Sequence, residues 1–418
     1  MARTPRLLLL FLAALLGAAS LAMATPAADS VILFIGDGMG VAEIALGRAA
    51  AGGVLTLDRM PYSGSVTTVS SGGEVTDSGA ASTALSSGYK TENGMLGMTP
   101  NRKRVETILE RCRRAGKSVG LVTNESLTGA TPAGFAVHVP DRDLARQIAE
   151  QLASSDAAVM MGYGSEGFVS SAPVDAAKGA SDIATRLRKK GYDLVLTREE
   201  LANSNGERLV GLFREGSEPE LAEMVSAALA RLRRNPKGFL LVVEQADVDG
   251  RPGDPSGAAL DILELDRAAG TALEFARRQG RSLVLVTADH ETGGLQIGNP
   301  GLLGALKGIR ASAPEIAKRL NKDRSNVREV MKAEAGIADL SEAEVSGIKS
   351  AADPGGAIGS AISQRLGIKW TAGHTATPVR VFAYGPGADR FTGEMDNTDI
   401  PKRIAATLGL GGFGGPKQ

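Results

Sequence analysis

Six short runs of apolar and β-branched residues, at 31–35, 118–122, 157–161, 238–243, 282–286 and 379–384, punctuate the 418-residue chain. Between them, 104–114, 144–153, 218–233 and 258–278 carry apolar residues at three- and four-residue spacing, with charges on the other side. Runs this short and this uniformly apolar fit strands buried on both faces. The longer amphipathic stretches fit helices that cover a sheet. Strands separated by such helices return to the same sheet in the same direction. The alternation therefore predicts an α/β fold, with a mostly parallel central sheet flanked by helices on both faces. The stretch 301–369, rich in Ala, Lys, Glu and Ser, reads as a helical insertion, with 353–359 (DPGGAIG) as a turn inside it. The Gly-rich tail from Gly409 to Gln418 is expected to fray.

The first 24 residues combine Arg3 and Arg6, an apolar run from Leu7 to about Leu21, and the small-x-small end Ala22-Met23-Ala24. That is the layout of a signal peptide cut before Thr25, which leaves one domain over 25–418 and implies a periplasmic or secreted protein. The apolar run falls short of the ~20 residues a spanning helix needs, so no stable membrane anchor is expected. Lys plus Arg and Asp plus Glu number 47 each, so there is no basic stripe to make nucleic acid a main partner. Cys112 is the only cysteine, which excludes an internal disulfide.

In parallel sheets, ligands gather at the carboxyl ends of the strands. Here polar residues follow the predicted strands repeatedly. The run 31–35 leads into Gly36-Asp37-Gly38-Met39-Gly40, which makes Asp37 a candidate metal ligand. The run 238–243 leads into Glu244, Asp247 and Asp249, and 282–286 into Asp289-His290-Glu291. An adjacent Asp and His offer hard oxygen and borderline nitrogen together. His374, one of three histidines, lies just before the last strand, whereas His138 sits in an apolar stretch and reads as core. Ser78, in the small-residue run 76–84, would open a helix, where unpaired N–H groups and the dipole favour phosphate and an alkoxide. Taken singly, each has a bland reading: Asp37 as a helix cap, 244–249 as a solvated loop, Ser78 as part of a closely packed helix.

Eight blocks taken in order, IGDGMG, TDSGAASTA, KTENGMLGM, GKSVGLVTNESLTGATPAGFAVHVPDR, FLLVVEQADVD, LVTADHETGG, GHTATPVRVFAYGP and MDNTDI, resemble the alkaline phosphatase family. They run from Ile35 to Ile400, nearly the whole chain after the leader. The resemblance implies a phosphate monoesterase with a phosphoserine intermediate on Ser78 and a three-metal site, usually two Zn²⁺ and one Mg²⁺. It implies that Asp37 bridges the second zinc and the magnesium, that Asp289 and His290 complete the second zinc, and that Thr131 and Glu244 hold the magnesium. Asp249 and His374 would bind the first zinc, and Arg142 would clamp the phosphate in a two-pronged fork. Small phosphate monoesters are the partners it implies, and because family members are frequently dimers, so is a homodimer.

Three positions depart from the family pattern. Gly253 stands four residues after Asp249, where a histidine is usual, so Asp254 is expected to supply the missing ligand and make the first site richer in oxygen, open to another divalent ion. Gly129 stands two residues before Thr131, where members commonly carry an acid or a histidine, and Gly250 follows Asp249 in place of a lysine, histidine or tryptophan. Two other readings compete: a phosphodiesterase, sulfatase or phosphomutase of the same superfamily, and a phosphate-binding protein with impaired catalysis. The Asp77-Ser78-Gly79-Ala80 context matches neither the modified Cys or Ser of a sulfatase nor the threonine common in diesterases.

Overall fold

The computed structural model describes residues 27–164, 167–168, 183–214, 216–371 and 373–414, so the expected leader lies outside the described residues. Its strands are β1 (Ser30–Gly36), β2 (Tyr62–Thr67), β3 (Ser118–Thr123), β4 (Val159–Tyr163), β5 (Tyr192–Val195), β6 (Arg208–Phe213), β7 (Phe239–Gln245), β8 (Ser282–Ala288), β9 (Glu291–Thr292), β10 (Gln296–Ile297), β11 (Ile368–Lys369), β12 (His374–Thr375), β13 (Val379–Tyr384) and β14 (Gly393–Asp396). Ten of them form one sheet in the order β14-β2-β13-β8-β1-β7-β3-β4-β6-β5. Every neighbouring pair is parallel except the two that β13 makes, with β2 and with β8. The predicted mostly parallel α/β sheet is therefore what forms.

Burial explains why the central strands were legible. Every residue of β1, β7 and β8 is buried, so each is apolar on both faces. The helices Leu221–Leu232 and Pro255–Gln279 pack along this centre, and Ile108–Arg114 and Ala130–Gly134 pack against β3 and β7. Ile108–Arg114 starts later than the pattern from 104 suggested, because Thr107 and Glu110 form a reciprocal capping box at its N-terminus. The edge strands β5 and β14, with β2 and β6, were not predicted. Tyr62–Thr67 reads YSGSVT and Gly393–Asp396 reads GEMD, too polar and too short to stand out as buried strands.

The stretch 301–369 holds the helices Ala313–Lys318, Val327–Ala335, Glu342–Ser350 and Pro354–Leu366. They build a second apolar cluster, including Ile316, Met331, Ile348 and Ile362, against Leu46 and Ala258 of the core helices. The expected turn at 353–359 is instead the first part of Pro354–Leu366, with Asp353 at its N-cap and Pro354 in its first turn. Its glycines serve close packing: a Cβ on Gly359 would lie 2.3 Å from the Gly253 carbonyl oxygen. Of the tail expected to fray, Arg111 donates to the carbonyls of Leu410, Gly411 and Gly412, and residues 415–418 lie outside the described residues. Among the described residues, no helix is long and apolar enough to cross a membrane.

Candidate active site

The order β8-β1-β7-β3 places four carboxyl ends side by side. Adjacent strands lie about 4.8 Å apart, so residues leaving these ends meet although they are far apart in sequence. Asp37 follows β1, Glu244 lies in β7 opposite Ile35 and Thr123, and Asp289 follows β8. The tight turn after β1 requires Gly38: its φ is +75°, and a Cβ there would sit 2.8 Å from the Asp249 Cα. The Asp289 Oδ1 accepts the backbone N–H groups of Gly38, at 3.1 Å, and His290, at 2.8 Å, and Oδ2 lies 3.2 Å from His290 Nε2. A two-residue ribbon pairs His374 in β12 with Thr292 in β9, and this stacks the His374 ring on His290 at 3.6 Å. The ring of His374 is oriented by the Thr76 carbonyl, 3.0 Å from Nδ1, while Nε2 lies 3.3 Å from Asp249 Oδ2.

Two groups of ligand atoms result, each within 4.8 Å mutually: Asp37, Asp289 and His290, and Asp249, His290 and His374. Thr131, on the helix Ala130–Gly134 after β3, is buried beside Glu244. Glu244 also accepts a 2.5 Å hydrogen bond from Thr123. Six buried atoms here have no hydrogen-bond partner: Asp37 Oδ1, Thr131 Oγ1, Glu244 Oε1, Asp249 Oδ1, Asp289 Oδ2 and His290 Nδ1. Buried polar atoms are nearly always satisfied, and buried carboxylates facing one another repel. A divalent cation removes both penalties at once, so this set of oxygen and nitrogen donors fits metal ions. The electrostatics point the same way. Burial and then the neighbouring Asp289 and Glu244 charges push the Asp37 carboxyl well above its usual range. Burial and then Glu125 push Glu244 up to about 8. His374 is raised to about 9, chiefly by its hydrogen bond with Asp249.

Ser78 is the first residue of the helix Ser78–Ser87, 4 % exposed, with Oγ 3.3 Å from His290 Nε2. The residue before it sets the geometry. Asp77 caps the helix through a 2.8 Å bond from the Ala80 N–H, accepts the Gly94 N–H at 3.0 Å, and takes a 3.1 Å bond from the Arg142 guanidinium. Sequence reading had not singled Asp77 out, although an Asp before a small-residue helix is a cap signal. Burial raises its pKa, but these three donors outweigh that and hold the carboxyl below its usual range.

Not every candidate joins the cluster. The Asp254 carboxylate is the N-cap of Pro255–Gln279: its Oδ1 accepts from Ser256 Oγ at 2.8 Å, the Gly257 N–H at 2.9 Å and the Ala313 N–H at 3.1 Å. It belongs to neither ligand group, so the structure does not place it as the substitute for the missing histidine. Gly253 itself has φ +90° with open space where a side chain would project. Asp247 is drawn aside by a 2.9 Å bond from Asn124. His138 is structural as expected, with Nδ1 2.6 Å from the Gly97 carbonyl and Nε2 3.0 Å from Glu110.

With this geometry in place, comparison with known proteins decides the family. The alkaline phosphatase family model matches residues 28–410. The chain belongs to the alkaline phosphatase family. It is 30% identical to alkaline phosphatase 3 of Bacillus subtilis over 91% of this chain and 88% of that one. The crystal structure of Thermus thermophilus alkaline phosphatase superposes with a TM-score of 0.80 at 30% identity, covering 99% of this chain and 97% of that one. A histidine-to-aspartate variant of the alkaline phosphatase from the Antarctic bacterium TAB5, solved with Mg bound in its M3 site, has a TM-score of 0.68 at 25% identity, covering 92% and 98%. The enzyme is thus a phosphate monoester hydrolase of a metal-dependent family.

Proposed function

We propose that the enzyme passes the phosphoryl group of a small phosphate monoester to the Ser78 hydroxyl and then to water. The observation that carries this reading is the gathering of Asp37, Asp289 and His290, and of Asp249, His290 and His374, into two ligand groups whose atoms lie within 4.8 Å of one another, with the Ser78 Oγ 3.3 Å from the shared His290. The serine oxygen sits at the first turn of its helix, where unpaired N–H groups and the positive end of the dipole favour negative charge. Arg142, aimed by Asp77, keeps further guanidinium N–H groups for phosphate oxygens, a task that suits its planar fork. Because Asp77 holds both the helix start and Arg142, it sets the distance between nucleophile and phosphate clamp. Water then attacks phosphorus on the face opposite Ser78 and frees the serine.

Asp289 and His290 with Asp37, and Asp249 with His374, would hold two cations, and the oxygen-only set Asp37, Thr131 and Glu244 a third. Bound there, such ions supply Lewis-acid charge that lowers the pKa of the serine hydroxyl and of water and neutralises charge on the leaving oxygen. Nitrogen-bearing sets suit Zn²⁺ and an all-oxygen set suits Mg²⁺. With Gly253 offering no side chain and Asp254 engaged elsewhere, the Asp249–His374 pocket retains zinc less tightly and exchanges it for Mn²⁺ or Co²⁺. The layout of residues 1–24 extends the proposal to export into the periplasm or medium. It extends also to a homodimer, which light scattering would register as twice the chain mass.

The test is hydrolysis of a simple aryl phosphate, beside an aryl diester and a sulfate ester, by wild type and Ser78→Ala in Zn²⁺, Mg²⁺, Mn²⁺ and Co²⁺. Monoester turnover that needs a cation and falls by about a thousandfold or more in the variant is expected. Equal rates in the two proteins would remove serine catalysis.

A further inference from the structure

The more open half of the ligand cluster is Asp249 with His374. Their side chains are 30 % and 25 % exposed, whereas Asp289 and His290 are fully buried. Asp249 Oδ1 has no hydrogen-bond partner among the described residues, and Gly253, four residues on, has no side chain to add. The placing of the Asp249 carboxylate therefore depends on the short loop that carries it. That loop runs from the 3-10 turn Asp247–Gly250 to Asp254, the N-cap of the helix Pro255–Gln279.

Arg251 anchors the loop to that helix. Its N–H closes the turn on the Val248 carbonyl at 3.1 Å, and its own carbonyl accepts from the Asp254 N–H at 2.8 Å. Its guanidinium meets Asp261 in a fork, with Nε 2.6 Å from Oδ2 and Nη2 3.2 Å from Oδ1. Gly257 opens the route: a Cβ there would lie 2.8 Å from Arg251 Cδ and 2.9 Å from Nε, so the arginine crosses the helix where a side chain would otherwise stand. Positions 257 and 261, four residues apart, share one face of the helix. Asp261 is buried and Arg251 partly so, and a two-pronged pair this sheltered holds one geometry and is screened less than a surface pair. On the other side of the loop, Pro252 and the Trp370 ring both press on Gly293, whose missing Cβ would lie 3.2 Å from Pro252 Cγ and 2.7 Å from Trp370 Cε3. Gly293 follows Thr292, the partner of His374 in the β9–β12 ribbon. The loop is thus gripped between the helix that carries Asp261 and the ribbon that carries His374.

We propose that Arg251 and Asp261 are positioning residues for the Asp249–His374 cation pocket. Their forked ion pair ties the loop to the helix and holds Asp249 against His374, the constraint that a metal-bound side chain at 253 would otherwise supply. The inference rests on the reading that Asp249 and His374 hold a cation. Groups behind a metal ligand typically change affinity 10- to 100-fold, and here the action passes through two residues of backbone, which puts the effect near the lower figure.

The test is competition titration of Zn²⁺ against a chromophoric chelator, with metal content read by mass spectrometry. Arg251→Met and Asp261→Asn should weaken the least tightly held zinc by about tenfold and leave the tighter zinc unchanged. Arg251→Lys, which keeps the charge and loses the fork, should fall between them and wild type. Asp261→Asn should have no further effect on zinc when added to His374→Ala, because both changes act on the same ion. Wild-type affinity for every ion in both Arg251→Met and Asp261→Asn overturns the proposal. So does a loss spread over all the ions that follows the melting temperature and persists in the His374→Ala background, since the pair would then support the fold alone. If His374→Ala itself leaves every zinc affinity unchanged, the reading of a cation at Asp249 and His374 fails first, and the proposal with it.

Discussion

Replacing Glu43 by glutamine should make the protein less sensitive to alkaline pH. Glu43 lies on the helix Val41–Ala50, is 0 % exposed, and has no hydrogen-bond partner for either carboxylate oxygen. Burial, and to a smaller degree the Glu291 charge, raises its pKa from 4.5 to about 8. A carboxyl with a raised folded pKa favours the folded state only while protonated. Its penalty is absent below the unfolded value, grows as pH rises from 4.5 towards 8, and is constant above that. At about 1.4 kcal/mol per pKa unit, the full swing is about 5 kcal/mol, an upper bound because the chain can relax or admit water. Glutamine keeps the shape and never ionises. Denaturant unfolding of both proteins from pH 5 to 9, in constant saturating metal, cancels the metal contribution in the difference. Near pH 5 the two should be within about 1 kcal/mol, and by pH 9 the glutamine variant should be several kcal/mol more stable. A difference that stays constant with pH would refute the claim that Glu43 is held neutral by burial.

Asp254→Ala should destabilise by about 1–2 kcal/mol, by removing a helix cap and the anchor of the Ala313 N–H, with bound metal unchanged; denaturant unfolding and metal analysis check the two parts. Gly359→Ala should cost about 1–3 kcal/mol, because its Cβ meets the Gly253 carbonyl, and differential scanning would show the loss as a lower melting temperature. Arg142→Lys should raise KM for an aryl phosphate about tenfold with a smaller change in kcat, since lysine keeps the charge but loses the fork. Gly253→His should fail to tighten zinc binding in a competition titration, because φ +90° strains any side chain there.

How far the sequence could be read follows from where each residue sits. The strands β1, β7 and β8 declared themselves because burial on both faces forces an unbroken apolar run. β2 and β14 left no such trace near the sheet edge, where Gly64 is needed because a Cβ would lie 2.7 Å from the Gly393 carbonyl. The acids after β1, β7 and β8 were found by looking directly past the strand ends. Asp254 carries a local signal of its own beside its nearness to the missing ligand: Asp before Pro255 is a helix start, and its carboxylate accepts the cap bonds there. The turn expected at 353–359 failed for a different reason. Glycines there answer to a neighbouring backbone from another part of the chain, which one-dimensional reading does not contain.

The most direct measurement of serine catalysis at this cluster is acid-quench mass spectrometry during turnover of an aryl phosphate in Zn²⁺ and Mg²⁺. One phosphoryl group should appear on the peptide containing Ser78, and it should be absent in Ser78→Ala and after chelation. Turnover at the wild-type rate with that peptide unmodified in every quench, and undiminished in Ser78→Ala, would contradict the proposed chemistry.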